Sequence, residues 1–395
     1  MVSFVVCGIL LAQAPAVEQA WKLAANGERS QAIVLLNGVV RGSPADADAR
    51  LLLGSLLVES GQREEAIAQL TEAAHLRPGS AEAQNALGEA YASFGSFPKA
   101  RQPFEKAVAL NPNFGVAQLN LGRALLDAHE FDAAAGHLDR AIRVLAPDAD
   151  AASAHYLRAK VYTSRNDAGE ALKELQKALS IRSDFPEAWS DLGQARKTLF
   201  DAAGALAAFQ RAVELAPDDS VAQYRLGAQY LLKGQPHLAV GPLEQAYRLT
   251  PDDQAILNAL QRAARQAGKL EEAENVKRKL AEVLLKLNES FQNELNATEL
   301  NNEGARLQRA GDLPGALEKY RAAVQLFPPS VPMRVNYAAA LLHLRQWTDG
   351  INELHKAHQM DPFDEKISAA LKSALAQAPA GTIPQWSDQP LQPKH

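Results

Sequence analysis

Small and large apolar residues alternate along this chain in a pattern that returns every 34 residues. Its clearest marker is the dipeptide Leu-Gly, at Leu53-Gly54, Leu87-Gly88, Leu121-Gly122, Leu192-Gly193 and Leu226-Gly227. With the glycine as position 8, units begin at about Gln13, Ala47, Ala81, Gly115, Ala152, Pro186, Ser220, Gln254, Ala297 and Val331. Position 8 is then Ala20, Gly54, Gly88, Gly122, Ala159, Gly193, Gly227, Gly304 and Ala338, with Gln261 the one large exception. Position 20 is alanine from Ala32 through Ala316, then Gly350, while position 24 is large, as at Leu70, Phe104, Leu138, Phe209 and Tyr320. Positions 20, 24 and 27 share one helical stripe. Each unit is therefore predicted to hold two helices that interlock small against large.

The residues that end helices fall at fixed places in the same frame. Position 15 is Gly27, Gly61, Gly95, Asn166, Gly234, Gly268 and Gly311, the types that close a helix in the left-handed conformation. Position 32 is Pro44, Pro78, Pro112, Pro217, Pro251, Pro328 and Pro362, which stops the second helix. Asp218, Asp219, Asp252 and Asp253 follow two of these prolines and suit the next helix start. Each unit reads helix, tight turn, helix, tight turn.

This pattern resembles the tetratricopeptide repeat family over about residues 13–364, with six positions agreeing across most of ten units. The family's frequent tryptophan at position 4 is present only as Trp189, and the eighth unit, with Gln261 and Lys277, fits worst. The resemblance implies an all-α, right-handed α-solenoid (superhelix) of about ten helix-turn-helix units with a C-terminal capping helix.

Two gaps interrupt the period. Three extra residues around 146–151 predict a longer loop between units. Nine extra residues lie between Gln261 and Gly304, where Ala273, Val276, Leu280, Val283, Leu287 and Phe291 continue one apolar stripe. The second helix of the eighth unit is expected to run on to about Asn293. The chain is thus divided into an apolar leader at 1–14, a first array at 13–287, an Asn-rich seam at 288–296 and two further units at 297–364. A capping helix at 364–377, carrying Ile367, Leu371 and Leu375, and a Pro-rich, disordered tail at 378–395 containing Trp386 complete it. The seam is expected to let the two arrays pivot.

Composition changes this picture little. A net charge of −5 and the absence of any basic block argue against nucleic acid as a partner. No run reaches 18 apolar residues, so no transmembrane span is expected. Val2 to Ala12 is largely apolar and Ala12-Gln13-Ala14 has the small-x-small form of a signal peptidase site, so export to a bacterial periplasm or cell envelope is expected. Cys7, the sole cysteine, lies in that leader.

The chain carries no catalytic motif. A P-loop, a Gly-x-Gly-x-x-Gly helix entry and a Gly-x-Ser-x-Gly elbow are all missing. His355 and His358, three apart, read as solvated surface histidines, and no metal or other cofactor is expected. The expectation is a non-enzymatic scaffold.

In the family the first helices line a concave groove. Carrying positions 2, 5, 6, 9, 12 and 13 onto this sequence selects Asn85, Glu89, Leu119, Asn120, Arg123, Tyr156, Lys160, Asp191, Gln194, Lys197 and Tyr224 as candidate groove residues. Amides there are expected to bond a peptide backbone. Arg123, Lys160 and Lys197 are expected to form a cationic strip that favours an acidic segment. Expected partners are therefore proteins or peptides. Two other roles fit the same sequence: a substrate-recruiting array of a multi-component enzyme such as a glycosyltransferase, and a self-assembling structural protein. The latter would be a homodimer through the 270–293 helix, by way of Leu280, Leu287 and Phe291.

Overall fold

The computed structural model describes residues 15–146, 148–379 and 381–384. The apolar leader with Cys7, and Trp386, lie outside the described residues. Within them the chain forms twenty helices and no strand. The first eight are α1 Pro15–Ala25, α2 Arg29–Gly42, α3 Ala47–Glu59, α4 Arg63–Leu76, α5 Ala81–Ser93, α6 Phe97–Leu110, α7 Gly115–Asp127 and α8 Phe131–Leu145. Then come α9 Ala149–Ser164, α10 Ala168–Ile181, α11 Pro186–Thr198, α12 Ala202–Leu215, α13 Ser220–Leu232, α14 Pro236–Leu249, α15 Gln254–Gln266 and α16 Leu270–Arg309. The last four are α17 Leu313–Leu326, α18 Val331–His343, α19 Trp347–Met360 and α20 Glu365–Gln377. Among the described residues no helix is long and apolar enough to cross a membrane.

The interlock is visible atom by atom. A Cβ added to Gly88 would sit 2.5 Å from the Phe104 ring, and one added to Gly122 would sit 2.7 Å from Leu138. Gly54 against Leu70, Gly193 against Phe209, Gly227 against Leu243 and Gly304 against Tyr320 repeat the arrangement. The tenth unit reverses it. Gly350 now supplies the close approach, its missing Cβ lying 3.2 Å from the Ala338 carbonyl oxygen, and the alanine stands on the first helix.

All ten turns from first to second helix place one residue in the left-handed region. Six are glycines, as at Gly61 (φ 73°), and Asn166 is the seventh. The other three are His129, Phe200 and Arg345, with φ of 61°, 62° and 62°. Their hydrogen bonds match those of the glycine turns. Gly61 N donates to Val58 O and Gln62 N to Leu57 O, while Phe200 N donates to Lys197 O and Asp201 N to Arg196 O. The repeat imposes the same closure on residues that disfavour it.

The chain divides into two compact parts, one up to Glu274 and one from Asn275 on. In the first part each second helix packs on the next first helix, and first helices also touch, α1 with α3, α3 with α5, α7 with α9 and α11 with α13. This forms a wall of first helices. The three extra residues do not lengthen the loop there. They extend α9, which begins at Ala149 instead of Ala152 and has 16 residues where α7 and α11 have 13. Ala149-Asp150-Ala151 are compatible with a first helical turn, and Asp150 suits its positive end.

In the second part α17 to α19 continue the repeat, and α20 buries Ile367, Leu371 and Ala374, Leu371 and Ala374 in one cluster with Ile351 and Leu354. Asp364 caps α20 by accepting from Lys366 N and Ile367 N. The start of the tail is ordered, contrary to expectation. Thr348 Oγ1 donates to Thr382 O at 2.7 Å, and Pro384 is buried. His358 is buried and His355 half-buried, so neither is a solvated surface histidine, and burial pushes both below the ordinary histidine range.

The Asn-rich stretch 288–296 does not break the helix. Helix α16, Leu270–Arg309, holds 40 residues. Its first fourteen residues stand at the register of a second helix and 297–309 at that of a first helix. Seven of the ten units carry a proline at position 32, whereas this unit has Leu285 there and no proline before Ala297. Nothing from 284 to 296 is a proline or glycine, so the helix propagates at one hydrogen bond gained per residue fixed.

Candidate functional site

The wall of first helices carries polar rungs that cross from one unit to the next. Asn120 Nδ2 donates to Asn85 Oδ1 at 3.1 Å, Arg225 Nη1 to Ser190 Oγ at 2.7 Å, and Asn336 Nδ2 to Asn301 Oδ1 at 3.0 Å. In each case position 6 of one unit reaches position 5 of the unit before it. Ser190 and Asn85 are buried, so these bonds satisfy groups that water does not reach.

This corrects the expected role of several residues. Asn85 and Asn120 bond each other, and both also donate to Glu89 Oε1, at 3.1 and 2.9 Å. Burial pushes the Glu89 carboxyl above its ordinary range, and these two amides only partly offset that. Leu119 is only 4 % exposed and belongs to the core with Leu121 and Leu157, because position 5 faces the seam between first helices. Arg123 and Lys197 are exposed and Tyr224 is half-buried.

Four predicted residues do come together. Tyr156 and Lys160 of α9 and Asp191 and Gln194 of α11 line a pocket of about 590 Å³, together with Thr163, Glu187, Ser190, Thr198, Asp219, Val221 and Arg225. Tyr156 is its one aromatic lining residue, and behind the pocket that ring meets Phe185 at 4.8 Å between ring centroids, with the Arg182 guanidinium stacked 3.6 Å from the Phe185 ring. The Lys160 ammonium lies 5.8 Å from the Tyr156 centroid. Arg225 Nη1 donates to Asp191 Oδ1 at 2.8 Å. Burial, and then the Asp191 charge, push the Tyr156 hydroxyl well above the usual tyrosine range, so it stays a neutral donor. The pocket thus has a rigid, internally neutralised base and an open rim where Lys160, Gln194 and Glu187 remain. Its charge is mixed, with Glu187 and Asp219 opposing Lys160.

Groove positions chosen by helical spacing missed Arg225 and Ser190. The signal was present: Arg225 and Asp191 are opposite charges 34 residues apart, at the same position of adjacent units. Among the described residues no group of three or more His, Cys, Asp or Glu side chains is arranged to hold a metal ion.

Stacked helical hairpins with a wall of side chains define an all-α solenoid that works as a protein-interaction scaffold. The chain belongs to the tetratricopeptide repeat family: models of this repeat match residues 51–113 and 190–254, 159–199, and 91–161. None of the curated proteins matches the chain. Among solved structures it is similar to a tetratricopeptide repeat protein from Parabacteroides merdae, with 16 % identity and a TM-score of 0.50 over 63 % of this chain and 97 % of that one. PilF from Pseudomonas aeruginosa gives 17 % identity and a TM-score of 0.49 over 54 % and 95 %. MamA from Desulfovibrio magneticus gives 24 % and 0.39 over 44 % and 96 %. At these identities the likeness speaks to the fold alone.

Proposed function

We propose that this protein holds an extended segment of another protein against its wall of first helices, without bond chemistry, and that the Tyr156 pocket is the anchoring point. The observation that carries this is the pocket itself. It combines the Tyr156 ring, the hydrogen-bonded Arg225–Asp191–Ser190 group and a rim of Lys160, Gln194 and Glu187. Apolar surface with a few placed polar groups is the usual composition of a binding site. The rungs at Asn85–Asn120 stiffen the wall on one side of it, so little order is lost on binding.

The mixed rim favours a segment that presents both charges, one acidic group toward Lys160 and one basic group toward Glu187 and Asp219. This replaces the purely cationic strip, since Arg123 and Lys197 do not line the pocket. Selection of displayed random peptides on the whole protein tests the reading. Enriched peptides are expected to contain an acidic and a basic residue, and to lose roughly tenfold or more in affinity, about 1.4 kcal/mol, with Lys160→Glu or Gln194→Ala. Enrichment indifferent to both substitutions would place the anchor elsewhere.

A further inference from the structure

Helix α16 carries an apolar face with no partner among the described residues. Leu284, Leu287, Phe291 and Leu295 are each 47–57 % exposed. With Leu280 they are spaced four, three, four and four residues apart, one stripe about 24 Å long on a straight helix. The stripe continues the face that buries Ala273, Val276 and Val283 further up the same helix. An apolar row of this length beside polar flanks marks an interaction surface.

We propose that this stripe pairs with the same stripe of a second copy of the chain, antiparallel, about a two-fold axis near Leu287. Two independent features of the sequence on this helix choose that occupant. The first is register. When the helix is laid against a reversed copy of itself with the axis between Leu287 and Asn288, Leu280 falls opposite Leu295 and Leu284 opposite Phe291, and the two copies of Leu287 lie one residue apart beside the axis. The residues of the stripe thus meet those of its copy, which is the self-complementarity that a two-fold interface requires. The second is charge. Residues 277–286 carry four bases and one acid, whereas 287–299 carry Glu289, Glu294 and Glu299 and no base. Antiparallel pairing sets the basic half of one copy against the acidic half of the other. Parallel pairing sets like charges together and costs stability.

The surface is separate from the pocket of α9 and α11, so its failure and that of the peptide reading are told apart. Sedimentation velocity on the full chain is expected to show a monomer–dimer equilibrium over micromolar concentrations. Leu287→Glu with Phe291→Glu is expected to leave a monomer with unchanged helical circular dichroism, since both side chains are already in solvent. In a Cys7→Ser background, chains with Leu287→Cys are expected to cross-link with themselves on oxidation. Chains with Leu280→Cys are expected to cross-link with chains carrying Leu295→Cys and not with each other. A monomer at every concentration overturns the proposal, and so does self-cross-linking through Leu280→Cys, which reports parallel strands.

Discussion

The connection after α14 and the connection after residue 283 stand at the same place in the repeat and have opposite outcomes. After α14 the chain passes through Thr250-Pro251-Asp252-Asp253, four residues that stop one helix and cap the next, with Asp253 accepting from Ile256 N at 3.0 Å. After Val283 the chain has thirteen residues, 284–296, with no proline, and stays helical throughout. Yet Gly304 and Tyr320 then interlock as Gly54 and Leu70 do. The contrast shows that the fold is held by packing inside each hairpin, while turn residues decide only whether the chain reverses. An insertion between hairpins therefore leaves the repeat intact and produces a free length of helix.

The strongest test of this contrast restores the missing stop. Leu285→Pro removes a backbone donor and clashes with the preceding turn, at a cost of about 3 kcal/mol in a helix interior. Leu285 is well exposed, so Leu285→Ala is expected to change stability by less than about 0.5 kcal/mol. Urea midpoints and helical circular dichroism should separate the two variants clearly. Equal behaviour would mean that 284–296 is not held as a helix.

A second test compares two glycines of one hairpin. In α7, a Cβ on Gly122 meets Leu138 at 2.7 Å, whereas Gly136 in α8 has nothing within 4 Å. Overpacking costs about 1–3 kcal/mol, against about 0.5–1 kcal/mol that alanine gains over glycine in a helix. Gly122→Ala is thus expected to lose about 1–2 kcal/mol and Gly136→Ala to gain about 0.5–1 kcal/mol. Losses of similar size at both sites would show that the interlock is not what makes position 8 small.

These tests also mark what the sequence made readable. The period, the interlock and the capping residues were legible because each is local and recurs at one spacing. The left-handed conformations of His129, Phe200 and Arg345 were not, because intrinsic preference points the other way and only the surrounding hairpin overrides it. Nor were the rungs, since Asn85–Asn120 and Ser190–Arg225 depend on how neighbouring helices are offset. Leu119 was misplaced for the same reason. Helical spacing aimed position 5 at the groove, whereas the packing of α7 turns it into the core.

Phe200 offers a smaller effect. Its φ of 62° costs an ordinary residue about 1–2 kcal/mol, and the ring is 95 % exposed, so burial returns nothing. Replacing it by glycine gives back part of that through greater freedom in the unfolded chain. Phe200→Gly is expected to raise stability by about 0.5–1 kcal/mol, where Gly61→Phe in the matching turn should lower it by a similar amount. Thermal midpoints that do not move in opposite directions would refute this account of the turn.

The smallest expected effect depends on pH and contrasts the two matching rungs. Asn85–Asn120 and Asn301–Asn336 are built alike, but Glu89 stands beneath the first and Ala305 at the same position beneath the second. Burial raises the Glu89 carboxyl above its ordinary 4.5, so the folded chain holds that proton to higher pH than the unfolded chain. The stability it contributes is complete below about 4.5 and is lost as pH rises through the raised value, because there the folded state binds more protons. Glutamine keeps an oxygen for both asparagine amides and does not ionise, so Glu89→Gln should remove that loss. Urea midpoints of the two proteins are expected to diverge in favour of the variant as pH is raised from 4.5 toward neutrality, whereas Ala305→Ser, beneath the other rung, should show no such trend. A constant difference between Glu89→Gln and the natural protein across that range would mean that the carboxyl is already ionised on the wall, and that water reaches it there.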